Sequence, residues 1–140
     1  MVKKYKISDL QKVVTKEKEP PPCDDTMQIT VQHNVDGIAE GVWEVDEKFI
    51  NGMGIAMGGF LSSAADIMMA YAISSKLTDE QEFASIDLHT TFHRPTMVGE
   101  VRVVAKVEKM GRKLAYLVAD LEQNGKKVAS CVSSVLIIAK

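Results

Sequence analysis

The sequence predicts an α+β fold in which a curved antiparallel sheet wraps around one long helix. The long apolar segment over residues 58–75 is helical in character, and from residue 84 onward apolar residues alternate with a period of two. Because only one long helix is predicted, the sheet itself must curve to cover it. The chain of 140 residues fits one domain, which we assign to residues 26–140, after an N-terminal helix and proline linker in residues 1–25.

The first element is a short amphipathic helix, predicted by apolar residues at helical spacing: Ile7, Leu10, Val13 and Val14. Ser8 is placed to cap this helix. Three consecutive prolines at 20–22 then end it, because proline fits neither a helix interior nor a strand ladder. They predict a linker that runs through Asp24 and Asp25 into the first strand near Met27.

A β-hairpin and a long helix follow. Strands 28–33 and 38–45 are joined through residues 34–37, where the pair Asp36-Gly37 favours a tight turn. Residues 58–75 are mostly strong helix formers and are apolar nearly all round. We therefore expect a helix that is buried nearly all round.

Four strands complete the predicted sheet, in segments 84–93, 101–108, 114–123 and 127–138. Short turns that contain Gly99, Gly111 and Gly125 separate them, which indicates an antiparallel meander. A sheet of this kind leaves free edges and apolar surface. We therefore expect a homo-oligomer, either a dimer or a tetramer.

Composition argues against several classes of function. A net charge of -2 gives no overall positive field that would attract nucleic acid. Cys23 and Cys131 have neither the spacing of a metal site nor the number of a disulfide framework, so we expect free thiols in the cytoplasm. The basic N-terminus is not followed by the apolar stretch of an export signal, and Asp66 and several glycines interrupt the longest apolar run, so no membrane span is expected.

Asp66 is the only charged residue between residues 49 and 75. Small and apolar residues surround it along the predicted helix, and a carboxylate in such surroundings must be paired, hydrogen-bonded or raised in pKa. These conditions suit a general base that works near neutral pH. They equally suit a structural carboxylate that bonds a neighbouring strand, and the pattern alone leaves both interpretations open.

A glycine-rich loop, residues 51–59, leads into this helix. Free backbone N–H groups at a helix start favour negative charge, so the loop is a candidate oxyanion site. Its spacing matches neither a dinucleotide fingerprint nor a P-loop. The alternative interpretation is that the glycines only allow the helix to pack closely.

Six motifs follow one another at a characteristic spacing: Asn51, Met57-Gly58-Gly59, Asp66, Ser85-Ile86-Asp87, Phe92-His93-Arg94-Pro95 and Gly99. Together they resemble the phenylacetate-pathway type of hotdog-fold acyl-CoA thioesterase, from about Asn51 to the C-terminus. The resemblance implies a hotdog fold and hydrolysis of an acyl-CoA, with a small, medium or aromatic acyl group, to the free acid and CoA. CoA is then part of the substrate, and neither a metal nor a further cofactor is implied.

The resemblance also implies roles for single residues. Asp66 would be the general base or nucleophile, and the Gly58 N–H would bind the thioester oxygen. Asn51 and Ser85 would orient the carbonyl and the attacking water, and Gly59 would contact the substrate. The site would lie between two subunits, with Asn51 of one chain facing Asp66 of its partner.

Met57 stands where the family usually carries a histidine, and a thioether cannot donate a hydrogen bond. The resemblance therefore leaves two alternatives open: a thioesterase with lowered activity or a shifted substrate, and a catalytically weak acyl-CoA-binding or regulatory protein. Met57 is also suited to line an acyl pocket. A hotdog dehydratase is disfavoured, because it would need a histidine in the loop or the helix.

Three basic residues are candidate ligands for the phosphates of CoA: Arg94, Arg112 and Lys113. The alternative is that they are solvated surface cations. His89 and His93 alternate along one predicted strand, but the sequence places no third metal ligand beside them. Histidines that face solvent are therefore expected.

Overall fold

The computed structural model describes residues 2–140. Its helices are α1 (Ile7–Val14), α2 (Pro22–Met27) and α3 (Gly58–Ser74), with a single 3₁₀ turn at Glu47–Phe49. Its strands are β1 (Ile29–Val35), β2 (Ile38–Val45), β3 (Gln81–Ser85), β4 (His89–Phe92), β5 (Gly99–Met110), β6 (Leu114–Gln123) and β7 (Lys126–Ala139). These strands form one antiparallel sheet in the order β1-β2-β5-β6-β7-β3, and β4 also pairs with β7.

The core lies between the concave face of the sheet and α3. Strands β5 and β6 supply completely buried side chains, including Val101, Val103, Ala105 and Leu117. The helix supplies Ala64, Ala65, Met68 and Ala72, which are also fully enclosed. The predicted α+β architecture, a curved sheet around one long helix with a short N-terminal helix, is confirmed.

The hairpin between β1 and β2 has the predicted turn. Asp36 and Gly37 have backbone φ angles of 49° and 81°. Both values lie in the left-handed region, which a type I′ hairpin turn requires at its two central positions. The Asp-Gly pair therefore sets the register of the hairpin, in which Val35 pairs with Ile38.

Two expectations about the N-terminal segment are wrong. Lys6 is the N-cap of α1. Ser8 does not cap the helix, because its N–H and its hydroxyl both donate to the Asp79 carboxylate, at 2.8 Å each. Pro22 does not stay in a linker but begins α2, since the first position of a helix needs no N–H donor.

Helix α2 is joined to α3 by a buried hydrogen bond. The hydroxyl of Tyr71 donates to the Asp24 carboxylate at 2.5 Å. Asp24 is only 2% exposed, and burial raises the pKa of its carboxyl group. The acidic residue that the sequence placed in a linker is therefore part of the core contact between two helices.

The segment predicted as one strand over 84–93 forms two strands, β3 and β4, and this prediction is wrong. Both strands pair with β7, but residues 86–88 leave the ladder between them. Asp87 causes the interruption, because its side chain accepts a hydrogen bond from the Ser134 N–H at 2.8 Å and its carbonyl accepts one from the Ser133 hydroxyl at 2.8 Å. Alternation of apolar residues continues through the break, so periodicity could not reveal it.

One face of α3 has no cover within the chain. Gly59 and Asp66 are exposed on this face, and Ser62, Ser63 and Ala70 are partly exposed. The expectation of a helix that is buried nearly all round is therefore wrong for a single chain. Within residues 2–140, no helix has both the length and the apolar character needed to cross a membrane.

Candidate active site

Asn51 holds the glycine-rich loop in a fixed shape. Its side-chain oxygen accepts hydrogen bonds from the N–H groups of Met53 at 2.8 Å and Ile55 at 3.4 Å. The loop is also bonded across to the segment before β5, where the Ala56 N–H donates to the Thr96 carbonyl at 2.8 Å. Because the oxygen of Asn51 is used inside the loop, its NH₂ group is the part that a substrate carbonyl can contact.

Gly58 is the first residue of α3, so its N–H belongs to the helix turn that lacks intrahelical acceptors. The ring of Phe92 lies directly against this glycine, and a Cβ at position 58 would be 2.7 Å from Phe92 Cζ. A side chain at this position would therefore displace the ring. Glycine allows the helix start and the aromatic ring to approach closely while its N–H stays available as a donor.

Asn51 and Gly58 line one cavity with a volume of about 480 Å³. Its other walls are mostly apolar or belong to the segment after β4: Ile55, Ala56, Leu61, Phe92, His93, Arg94, Pro95 and Thr96. A few polar donors at the entrance of an apolar cavity are typical of a small-molecule site. We call this group, represented by Asn51 and Gly58, the oxyanion half-site, after the role that the resemblance implies for Gly58.

Asp66 lies on the uncovered face of α3 and is exposed in the single chain. Desolvation nevertheless raises the pKa of its carboxyl group. Both facts hold because water reaches the carboxylate from the open side, while the helix and the sheet exclude it from the other side. The expectation that apolar neighbours enclose Asp66 on all sides is wrong for one chain.

Ser85 ends β3 and pairs with Val135 of β7. Paired residues in an antiparallel sheet share a face, and the buried Val135 points toward α3. Ser85 is therefore on the helix side of the sheet, although it is exposed because α3 does not reach over it. We call these two exposed residues, Asp66 and Ser85, the base half-site, after the role that the resemblance implies for Asp66.

The two half-sites of one chain are too far apart to act on one carbonyl group. Gly58 and Asp66 are separated by eight residues of the same helix, which corresponds to about 12 Å along its axis. An oxyanion donor and a general base must each reach a hydrogen-bond distance of about 3 Å from atoms of the same reacting group. A single chain therefore carries both half-sites but no complete site.

The predicted phosphate ligands lie in separate regions. Arg94 lines the cavity of the oxyanion half-site and donates from Nη1 to the Lys127 carbonyl at 2.7 Å. Arg112 and Lys113 line another cavity, of about 580 Å³, beside Ile138. Lys127 and Ile138 are near opposite ends of β7, so one chain does not bring these basic residues together.

Met57 and Gly59 adjoin the helix start. Met57 is the N-cap residue of α3 and its side chain is 46% exposed. Its Cε would be 3.4 Å from a Cβ placed at Gly59. The histidines are exposed, as expected, and His93 Nε2 is 2.9 Å from the Ser130 hydroxyl. Within residues 2–140, no group of three or more potential metal ligands comes together.

Sequence reasoning missed two features of these half-sites. Phe92 was part of a motif but had no role, whereas in the structure it contacts Gly58. Ser62 was not singled out, and in the structure its hydroxyl is 2.7 Å from that of Thr90. Its position four residues before Asp66 on one helix was a usable signal, because residues at this spacing share a face.

Comparison with known proteins agrees with this architecture. A family model described as the thioesterase superfamily matches residues 53–130. A Pseudomonas aeruginosa protein with the provisional name esterase PA0474 is 33% identical over 87 residues, which are 61% of this chain and 65% of that relative's length. The chain thus covers slightly less than two thirds of this curated relative.

Two solved structures extend the similarity to most of the chain. A Ralstonia eutropha protein, provisionally described as a thioesterase related to phenylacetic acid degradation, has a TM-score of 0.85 and 26% identity, covering 91% of this chain and 98% of its own. A variant of the phenylacetic acid degradation protein PaaI from Thermus thermophilus has a TM-score of 0.77 and 25% identity, covering 82% of this chain and 97% of its own. The hotdog fold implied by the motifs is confirmed.

Proposed function

The chain belongs to the thioesterase superfamily, and we propose that it hydrolyses an acyl-CoA thioester to the free acid and CoA. The acyl group is small, medium or aromatic, in keeping with a cavity of about 480 Å³ with mainly apolar walls. The reaction consumes only water and the thioester, so the proposal requires no cofactor. Free thiols at Cys23 and Cys131 support a reducing, cytoplasmic environment.

The observation that carries the proposal is the division of one helix into two half-sites. The start of α3 offers the N–H of Gly58 beside an apolar cavity, and its uncovered face offers a carboxylate with a raised pKa. Because the two groups are about 12 Å apart along the helix, two chains must combine to form a complete site. We infer a homodimer, or a tetramer built from such dimers, in which each site takes one half from each subunit.

The reaction follows from these positions. Asp66 of one subunit accepts a proton from water, and the oxygen of that water attacks the thioester carbon. Gly58 and Asn51 of the other subunit donate hydrogen bonds to the carbonyl oxygen as it becomes negatively charged. The C–S bond then breaks, and the CoA sulfur takes the proton back from Asp66. Ser85 orients the attacking water beside Asp66.

Arg94 is the first choice among the three predicted phosphate ligands, because it lines the cavity of the oxyanion half-site. Arg112 and Lys113 would reach the same CoA molecule only from another subunit. Gly59 contacts the substrate through its backbone beside Gly58. The role of Met57 depends on whether its exposed thioether lies against the acyl group.

A second function, acyl-CoA binding without efficient hydrolysis, is favoured by Met57. The N-cap position of α3 carries a thioether in place of a hydrogen-bonding side chain. In that case the oxyanion half-site would still bind the thioester, but the thioester would be hydrolysed slowly or not at all. Binding and turnover must therefore be measured on the same sample.

The experiment is a screen of acyl-CoA thioesters by release of free thiol. We expect turnover of at least one small, medium or aromatic acyl-CoA, and a loss of about a hundredfold or more in Asp66→Asn, because an amide cannot accept the proton. Asp120→Asn is the matched control, since Asp120 is a carboxylate on β6 whose exposed ion pair with Lys127 contributes little. Full turnover in Asp66→Asn would contradict the proposed mechanism, and binding without thiol release would support the second function.

A further inference from the structure

Three side chains form a hydrogen-bonded chain between the uncovered face of α3 and the sheet. The Ser62 and Thr90 hydroxyl oxygens are 2.7 Å apart, and the Thr90 hydroxyl donates to Cys131 Sγ at 3.3 Å. Cys131 is 1% exposed, and its thiol is directed to the Val132 carbonyl at 4.0 Å. Burial raises the pKa of Cys131, so the buried end of the chain is a neutral thiol.

This chain has a direction, because each hydroxyl has one hydrogen. The hydroxyl hydrogen of Thr90 is used in the hydrogen bond to Cys131, so Thr90 cannot also donate to Ser62. Ser62 must therefore donate to Thr90 in the contact between them. The consequence is that the Ser62 oxygen presents only lone pairs to any other neighbour.

Ser62 and Asp66 are four residues apart on α3, which places their Cβ atoms about 5–6 Å apart on one face of the helix. Both residues are open to solvent on the face that no other part of the chain covers. The negative charge of Asp66 also contributes to the raised pKa of Cys131, in keeping with its closeness to the chain. The acceptor-only oxygen of Ser62 is therefore on the same solvent-accessible helix face as the Asp66 carboxylate, one helical turn away.

We propose that the Ser62 oxygen holds the water that Asp66 deprotonates, which rests on the proposed function. Asp66 accepts one hydrogen of this water, and Ser62 accepts the other. With both hydrogens engaged, a lone pair of the water oxygen is free for the thioester carbon. The O–C bond forms as the first proton moves to Asp66, the C–S bond breaks, and that proton moves on to the CoA sulfur.

Ser62 thus touches the reacting water and is a catalytic residue, whereas Thr90 and Cys131 are positioning residues that act through it. Their function is to keep the Ser62 hydrogen turned away from Asp66. Without Thr90 the Ser62 hydroxyl would donate to the Asp66 carboxylate, which would make the base weaker and leave the water without its second acceptor.

The test compares four variants of the full-length protein: Ser62→Ala, Thr90→Val, Thr90→Ser and the control Ser63→Ala. The hydroxyl of Ser63 is bonded to the Gly59 carbonyl within the helix, so its removal resembles Ser62→Ala in size and exposure but leaves the chain intact. For each variant kcat, KM and the urea midpoint of unfolding are measured with one acyl-CoA that the wild type hydrolyses.

We expect Ser62→Ala and Thr90→Val to lower kcat about tenfold, which corresponds to about 1.4 kcal/mol and is the size of one lost hydrogen bond, with little change in KM. Thr90→Ser restores kcat because it restores the hydroxyl, and Ser63→Ala keeps kcat. A link that only joins the helix to the sheet would instead lower the urea midpoint and leave kcat unchanged.

Wild-type kcat in folded Ser62→Ala would overturn the inference, and so would a Thr90→Ser variant that stays as slow as Thr90→Val. If Ser62→Ala does not fold, the comparison of Thr90→Val with Thr90→Ser tests the inference instead. These outcomes are distinct from failure of the proposed function, in which the wild type itself would release no thiol from any acyl-CoA and the inference would fall with it.

Discussion

The two half-sites of this chain differ in how completely the chain builds them. The oxyanion half-site is finished: Asn51 and the Ala56 N–H fix the loop, and an aromatic ring covers the helix start at Gly58. The base half-site is open, because Asp66 and Ser85 are both exposed and no element covers them. Large apolar side chains that follow Ser85 in the chain are also exposed, at 58% for Ile86 and 38% for Leu88.

The difference indicates which part of the proposed site would depend most on a second subunit. A backbone donor needs a rigid frame, and the chain supplies this frame by itself. A carboxylate becomes a stronger base when water is excluded around it. The open half therefore gains most from association, which would cover Asp66 and the apolar side chains together.

The largest effect is expected from a substitution that removes only the Gly58 N–H. Because a Cβ at position 58 collides with Phe92, the test uses Phe92→Leu as the background. In the Phe92→Leu background, Gly58→Pro removes the backbone N–H at position 58, whereas Gly58→Ala keeps it. Proline is well accepted at the first helical position, so the helix start should be preserved. We expect kcat of Gly58→Pro to be about a hundredfold below that of Gly58→Ala. Equal kcat values would show that this N–H does not bind the oxyanion.

Mixed dimers test whether the two half-sites of one active site come from different chains. One chain carries Asp66→Asn, and the other carries Gly58→Pro with Phe92→Leu, so each chain alone is nearly inactive. When the two are refolded together, about half of the dimers are mixed, and each mixed dimer has one intact site of two. The intact site takes its unchanged Gly58 and Phe92 from the Asp66→Asn chain, so thiol release should return to about a quarter of the wild-type value. No recovery would mean that both halves act within one chain.

A smaller effect is expected at Met57, the residue at the boundary of the finished half. Met57→His introduces a hydrogen-bonding ring at the helix start, and we expect kcat to rise about tenfold at most, because the ring is not held by evolved neighbours. If Met57 instead lines the acyl pocket, calorimetry will show weaker acyl-CoA binding without a gain in thiol release.

The smallest effect concerns stability in the open half. The pKa of Asp66 is raised in the folded protein, so the fold favours the protonated form and the contribution of Asp66 to stability decreases as pH rises through that pKa. At pH 7 the ionised group is unfavourable, and Asp66→Asn should unfold at the same urea concentration as the wild type or a higher one. This advantage should disappear below the ordinary pKa of an aspartate. A less stable Asp66→Asn at pH 7 would indicate a structural carboxylate.

The parts of the fold that were predictable from sequence are those with local causes. The Asp36-Gly37 turn, helix α3 and strands β5 to β7 all follow from residue type and period. The break between β3 and β4 was not predictable, because it depends on hydrogen bonds that Asp87 accepts from residues of β7 that are 46 and 47 positions away.

The candidate site was predictable to a similar extent. Asn51, Gly58 and Asp66 were predicted as site residues from their motif and from the burial expected of a lone charge, and their roles stay predictions. The exposure of Asp66 was missed, because a sequence does not say which face of an apolar helix the rest of its own chain leaves uncovered. The direction of the Ser62 and Thr90 hydrogen bond was also missed, since it depends on the thiol of Cys131, 41 positions from Thr90.

The hydrogen bond between Tyr71 and Asp24 couples the local unfolding of α2 to that of α3. Tyr71 lies in the last turn of the core helix and is 2% exposed, and Asp24 is equally inaccessible. Segments near chain ends usually fray independently, at little free-energy cost. Here α2 cannot leave without breaking a charged, desolvated contact, so its amide protons should exchange with deuterium as slowly as those of α3, through the same cooperative opening.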